Sequence, residues 1–326
     1  MSDYAFAPVL LIFFNRPETL REVFAEVRKA KPPILYLAQD GARENNTEDI
    51  IRIQECRTIV ENIDWNCQIY KLYSDVNQGC GLGPRNAINW LFENEDRGII
   101  LEDDCVPSQS FFRFCSEMLE YYKEDERVFL ITGSNLEIRT RDISESYFFG
   151  YSATNWGWAT WRRNWKDMDY ECNFTQNTII SENLKDMMNK VQYGSKGIAE
   201  FNSFSTIFNR LRAGENISMW DVQWQALKYL KHQLAIIPVC NLITNIGYGP
   251  TATHGKNNII PKKLYSTPGE VHFAYNQKTE MVFPLIHPQF MLRHARYDYS
   301  VDKTLWPCAW KRYLNKVLNK LRRVLQ

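Results

Sequence analysis

The chain is 326 residues long, enough for one large or two modest domains with a sizeable core. With 44% hydrophobic and 24% charged residues it has the composition of a globular protein, and a net charge of +1 gives no global sign of a nucleic-acid binder. The 8 Cys are scattered, with no CxxC and no Cys/His cluster, which argues against a zinc site and fits free thiols in a reducing cytosol.

The first half alternates between strand and helix. The start, MSDYAFAPVLLIFFNRP, has no basic n-region, and its apolar run is too short to cross a bilayer. It is therefore expected as a buried first strand and not as a signal peptide. RPETLREVFAEVRKA follows, with Pro17 at a good helix start and Leu20, Val23, Phe24 and Val27 marking one helical face. PILYLAQDG predicts a second strand ending at Asp40, residues 48–62 a helix, and CQIYKLYS a third strand. RNAINWLFENE predicts a helix from Arg85, and RGIILEDD a fourth strand. This alternation predicts an α/β fold with a doubly wound, mainly parallel sheet. In such sheets ligands bind at the carboxyl ends of strands. Polar residues fall at those ends: Asn15 and Arg16, Asp40, Asn77, and the run Glu102-Asp103-Asp104.

The second half is less regular. VFLITGSN predicts a strand, TNWGWATWRRNW is dense in Trp, residues 174–214 read as polar helix, and the stretch from Met219 to Gly247 reads as helix then strand. No linker rich in Gly, Ser or Pro divides the chain. The expected organisation is one catalytic domain over residues 1–260 and a C-terminal extension over 261–326.

Several motifs point to chemistry. Three consecutive acids at the end of a buried strand raise one another's pKa, and a bound cation is the commonest remedy. Glu102-Asp103-Asp104 reads either as acids favouring a helix N-terminus or as ligands of a hard divalent cation, Mg²⁺ or Mn²⁺. NQGCGLGPRNA, residues 77–87, lacks the spacing of a dinucleotide loop. It reads as a flexible loop before a helix, or as a loop over phosphates with Arg85 supplying charge at the helix start. Asp221 lies between Trp220 and Trp224, as a helix N-cap or as a general base. His254, in NIGYGPTATHG, is structural or contacts a phosphate or a metal. The Trp residues of 155–165 form either a wall on which sugar faces stack or part of the core.

Together and in this order these segments resemble glycosyltransferases of the GT-A fold, and more closely the family of Golgi N-acetylglucosaminyltransferase I. The matching stretches are LLIFFNRPETLREV, YLAQDG, IILEDDCVPSQSFFRFC, ITGSN, GWATWRRNW and MWDVQW, and they span roughly residues 8–255. GWATW and ATH also resemble bacterial sugar transferases of surface polysaccharide clusters. The resemblance implies an inverting, metal-dependent transfer of a sugar from a nucleotide-diphospho-sugar, a UDP-sugar by preference, to a hydroxyl of a glycan or lipid-linked acceptor. It implies that Arg16 contacts the nucleotide, Asp40 the uracil, Asp103 the ribose and Glu102 the donor sugar. Asp104 would hold Mn²⁺ or Mg²⁺, with His254 a weaker metal candidate, and Asp221 would be the catalytic base. Asn15 and Arg85 complete the candidate donor contacts. Two departures stand out: Asp221 is followed by Val222 where the family has a second acid, and the membrane anchor of the Golgi enzymes is missing. The alternatives are a sugar-nucleotide nucleotidyltransferase, although its usual basic Gly-rich first loop reads FFNRPETL here, and a non-catalytic carbohydrate-binding protein.

The charge is unevenly spread. From Lys303 to Gln326 there are seven basic residues and no acid, so a +7 tail leaves −6 for the rest of the chain. In this tail Trp310, Leu314, Val317, Leu318 and Leu321 recur at helical spacing among the basic residues. It reads as an interfacial helix on an anionic membrane or as a helix docked on protein. The expected location is cytoplasmic, peripheral at the inner face of the plasma membrane.

Overall fold

The structure, a computed structural model, describes residues 5–137, 140, 142–191, 195–215, 217, 219–247 and 277–305. His254 and the tail beyond Leu305 lie outside the described residues.

β1 (Val9–Phe13) is apolar throughout and alternates between the two sides of the sheet. Val9, Leu11 and Phe13 enter one core cluster, whereas Leu10 enters the other. A strand buried on both faces reads as a continuous apolar run, as here. β1 lies between β2 (Ile34–Gln39) and β4 (Arg97–Glu102), parallel to both, and β2 pairs in parallel with β3 (Gln68–Tyr73). Beyond β4 comes β8 (Trp158–Trp161), antiparallel to β4 and to β6 (Val128–Thr132). β9 (Leu234–Pro238) is parallel to β6, and β7 (Tyr147–Gly150) closes the sheet antiparallel to β9. The order is β3-β2-β1-β4-β8-β6-β9-β7. Every strand except β8 and β7 points the same way, so the sheet is mainly parallel, as expected.

Helices cover both faces. On one lie α1 (Pro17–Ala30), α2 (Thr47–Val60) and α4 (Gln109–Tyr121). α1 starts at Pro17 and buries the predicted stripe Leu20, Val23, Phe24 and Val27. On the other face lie α3 (Gly79–Asn94), α5 (Arg162–Trp165), α8 (Asp221–Leu230) and α9 (Ala295–Leu305). α6 (Thr178–Val191) and α7 (Ser195–Arg212) form a satellite cluster with α8, in the region read as polar helix. A small second sheet pairs β5 (Cys105–Pro107) with β10 (Ile243–Asn245).

The Trp-rich segment belongs mostly to the core. β8 runs through the middle of the sheet, so Trp158 and Trp161 are buried on opposite faces, and Trp165, Trp220 and Trp224 pack beside Trp158. Removing one such buried ring typically costs about 3–5 kcal/mol, so this cluster joins β8, α5 and α8. Trp156 is half-buried. Residues 277–305, expected within the extension, enter both clusters: Met281 and Leu285 pack on one face, Tyr297 and Val301 on the other. Among the described residues no helix is long and apolar enough to cross a membrane.

The loop before α2 closes on a buried carboxylate. Asn46 caps α2 by accepting from Asp49 N–H at 3.1 Å. Asp49 accepts from Arg43 Nε and Nη2 at 2.7 Å each, from Arg43 N–H at 3.1 Å and from Asn15 Nδ2 at 2.7 Å. These bonds, Arg43's first, hold its carboxyl below the usual range although burial opposes them. A pKa lowered by folding stabilises above the unfolded value of about 4 and loses that contribution as pH falls through the folded value. Asp49→Asn should therefore lower unfolding free energy by about 1–3 kcal/mol at neutral pH, and by less and less below about pH 4. Urea titrations of both proteins at neutral and acid pH check this; a gap that stays constant would remove the charge from the account.

Candidate active site

β1, β2 and β4 end on the same edge of the sheet. The chain winds outward from β1 to β3 on one side and resumes at β4 on the other, so β1 and β4 flank the switch point where such sheets bind ligands. Arg16, just after β1, reaches across to the acids that follow β4. Its Nη2 donates to Asp103 Oδ1 and, at 2.9 Å, to Asp104 Oδ2, while Nε donates to Asp103 Oδ2 at 3.4 Å. Phe14 N–H also donates to Asp103 at 3.4 Å.

The electrostatics are unbalanced. Burial opposes the charge on Arg16, yet Asp103 and Asp104 raise its pKa above the ordinary value. Burial raises Asp103, with Arg16 pulling the other way. Burial, then Asp104 and Asp103, push Glu102 up to about 8, and Asp221 is near enough to add to the shift. Asp221 is the first residue of α8 and is exposed. Two carboxylates thus share one guanidinium, with Glu102 and, through it, Asp221 in electrostatic range, an excess of negative charge that favours a cation.

The residues fit a divalent cation of the kind held by one or two carboxylates, with phosphate oxygens and water as further ligands. Asp104 is the reachable one: its side chain is 14% exposed against 4% for Asp103. Among the described residues, the partner of Asp104 Oδ1 is the weak donor Cys105 Sγ, at 3.3 Å. Among the described residues no three Asp, Glu, His or Cys side chains converge as a metal-binding group, so the fit rests on Asp104 and the surplus charge. Two features here have no signal in the sequence. A Cβ on Gly247 would stand 2.1 Å from Asp104 Oδ2, so only glycine lets this chain pass the carboxylate. Glu280 accepts from the N–H groups of Gln109 and Ser110 at 3.2 and 2.8 Å, ending the orphan donors of α4 from a segment far along the chain.

The remaining candidates are placed differently. Asn15 is tied to Asp49 and, through its carbonyl, to Arg52 Nε at 2.8 Å, so it binds β1 to α2. Asp40 Oδ1 accepts from Gly41 and Gln78 N–H at 2.9 and 2.7 Å; Oδ2 accepts from Gly79 N–H at 2.9 Å and Asn77 Nδ2 at 3.0 Å. Burial raises its pKa against those backbone donors. Asp40 thereby terminates α3, which corrects the loop reading of 77–87: the helix begins at Gly79, because a carboxylate from another strand satisfies its first N–H groups. Arg85 accordingly sits in the second turn and not at the helix start. Its guanidinium lies 3.5 Å over the Tyr170 ring, and among the described residues its buried Nε has no hydrogen-bond partner.

Asp221 is carried in on a firmly held helix. Lys228, on the same face two turns later, is fully buried and donates to Tyr151 O and, at 2.5 Å, to Gln225 Oε1. Asp298 accepts from Tyr151 and Ser152 N–H at 3.0 and 2.9 Å, so the corner after β7 is gripped by α8 and α9 together.

No family model matches the chain, and no curated protein matches it. Among solved structures it is similar to UDP-glucose pyrophosphorylase complexed with UDP-glucose: 13% identity and a TM-score of 0.26, over 49% of this chain and 71% of that one. It is also similar to HddC from Yersinia pseudotuberculosis, at 9% identity and a TM-score of 0.30, over 52% of this chain and 86% of that one. Likenesses this distant carry no argument about chemistry; the fold assignment stands on strand order and direction.

Asp40→Ala should free the start of α3 and cost about 0.5–2 kcal/mol, the usual range for a lost cap. Hydrogen exchange at 79–82 should rise with it. Unchanged protection there would show that the cap is redundant.

Proposed function

We propose that this protein is an inverting glycosyltransferase that moves a sugar from a nucleotide-diphospho-sugar, in the first instance a UDP-sugar, to a hydroxyl acceptor. The observation that carries the reading is the acidic set braced by Arg16 at the switch point of the sheet, with Asp221, the first residue of the distant helix α8, within electrostatic range of Glu102.

Each residue has a task in that reading. Arg16 holds Asp103 and Asp104 in place, which keeps Asp104 turned to the open side. Asp104 would hold a divalent cation that neutralises the charge growing on the nucleotide diphosphate as it leaves. In this reading Asp103 and Glu102 would contact the donor, and a Glu102 that holds its proton near neutral pH could donate to a sugar oxygen. Asp221 takes the acceptor hydroxyl proton as the new bond forms on the opposite face of the sugar. The work fits bacterial surface glycan synthesis with a glycan or lipid-linked acceptor.

The test is release of UDP from a panel of UDP-sugars, with and without Mn²⁺, together with the anomeric configuration of the product. Inversion supports the reading. Retention overturns it, as does release of pyrophosphate from a nucleoside triphosphate and a sugar phosphate with no transfer. Asp104→Asn should abolish Mn²⁺-dependent turnover and weaken donor binding in calorimetry, with the melting transition preserved. Asp221→Asn should lower turnover by ~10²–10⁴-fold while donor affinity stays near wild type. Collapsed donor binding with surviving turnover would move Asp221 into the donor pocket.

A further inference from the structure

The surroundings of Asp104 come from two distant places in the chain. Arg16 holds its Oδ2 from one side, at 2.9 Å. The other side is built by the turn that follows β10, whose residues take no part in the transfer chemistry.

β10 runs antiparallel to β5, with Ile243 opposite Pro107, Thr244 opposite Val106 and Asn245 opposite Cys105. The pairing continues one step past the strand, where Ile246 N–H donates to Asp104 O at 2.8 Å. The backbone of Asp104 is therefore fixed by this chain. Asn245, which is buried, then turns it. Its Oδ1 accepts from Gly247 N–H at 2.8 Å. A side-chain oxygen bonded to the N–H two residues on closes a turn as a backbone carbonyl would. On its other side Asn245 Nδ2 donates weakly to Cys105 Sγ at 3.9 Å, and Cys105 Sγ donates to Asp104 Oδ1 at 3.3 Å.

The turn delivers Gly247 against the carboxylate. A Cβ there would lie 2.6 Å from Asp104 Cγ, with Oδ2 closer still. No real side chain tolerates that contact, so any residue but glycine at 247 must move the carboxylate or the turn. The oxygen in the way is the one that Arg16 holds, so moving it also strains that ion pair. Oδ1 is engaged more lightly, by a thiol, and a weak donor leaves its lone pairs available to a cation. One oxygen of Asp104 is thus seated and the other is oriented for a further ligand.

We propose that Asn245 and Gly247 are positioning residues for the divalent cation: the turn they form seats the carboxylate of Asp104 and sets the affinity of the site without touching the ion. The proposal rests on the reading that Asp104 holds a hard divalent cation. Residues that orient a metal-ligating side chain typically account for about 10–100-fold in metal affinity.

Calorimetric titration of Mn²⁺ into the full chain, with and without UDP, tests it, beside melting curves taken without metal. The variants are Gly247→Ala, Asn245→Ala, Asn245→Ser and Asp104→Asn. Gly247→Ala should lose about 10–100-fold in Mn²⁺ affinity, and Asn245→Ala about 10-fold. Asn245→Ser should recover most of that loss, because a serine hydroxyl accepts the same N–H in an analogous turn. A turn that only connects the chain would lower the melting temperature of these variants and leave the Mn²⁺ affinity of the folded protein unchanged, which overturns the proposal. Should Gly247→Ala fail to fold, the other pair decides: equal affinities for Asn245→Ala and Asn245→Ser overturn it. Binding lost in Asp104→Asn but kept in the turn variants removes this proposal and leaves the cation reading standing. Binding that Asp104→Asn retains, or no binding by the wild type, removes both.

Discussion

The interaction on which the site depends is the grip of Arg16 on Asp103 and Asp104. A buried strand that ends in three acids is costly by itself, because desolvation and mutual repulsion both disfavour ionisation. One guanidinium, supplied by the residue that opens α1, offsets part of that cost and leaves the remainder on Glu102, whose pKa rises to about 8. The β1–β4 pairing makes this possible: Ile12 lies opposite Glu102, so the residues after both strands emerge side by side. The unpaid charge is what makes the site a candidate for a cation and a charged ligand and not a plain structural ion pair.

The rest of the fold brings the second half of the chain to that edge. β8 enters between β4 and β6, and its Trp158 forms part of the surface on which α8 packs. Lys228 and Asp298 then hold one residue, Tyr151, from its carbonyl and its N–H, so α8 and α9 share a fixed corner. The close approach of Asp298 leaves no room for a side chain at Gly150, where a Cβ would come within 2.8 Å of its Oδ1. Buried charges of this sort contribute little net stability, but removing one partner leaves the other uncompensated, so they fix geometry firmly. Asp221 benefits from that rigidity as the first residue of the helix.

The segment 277–305 binds the two faces into one unit. It caps α4 through Glu280, tethers Lys278 Nζ to Pro107 O at 2.8 Å, and reaches β7 through His294. The same chain that stabilises the rim of the site through these bonds also leaves Val282, Ile286, Phe290 and Leu292 facing outward.

Local pattern determined a good deal: the apolar runs of β1, β2 and β4, the stripe on α1 with Pro17 at its start, and the α/β alternation that yields a mainly parallel sheet. It also singled out Arg16 and the acids at 102–104, as polar residues at the ends of buried strands. What it left open was every partner chosen across long sequence distances. Asp40 and Asn15 looked available for a ligand, yet the folded chain turns both to structural work, on α3 and on Asp49, because orphan helix N–H groups and a buried carboxylate must find partners somewhere. Arg85 looked like the start of a helix because Gly-rich sequence disfavours helix on its own; Asp40, from another strand, reverses that preference. The tryptophans of β8 carried no mark distinguishing core from sugar platform, and only the position of β8 between two other strands decided for the core. Burial and hydrogen-bond satisfaction are properties of the assembled chain, so these assignments belong to the tertiary structure alone.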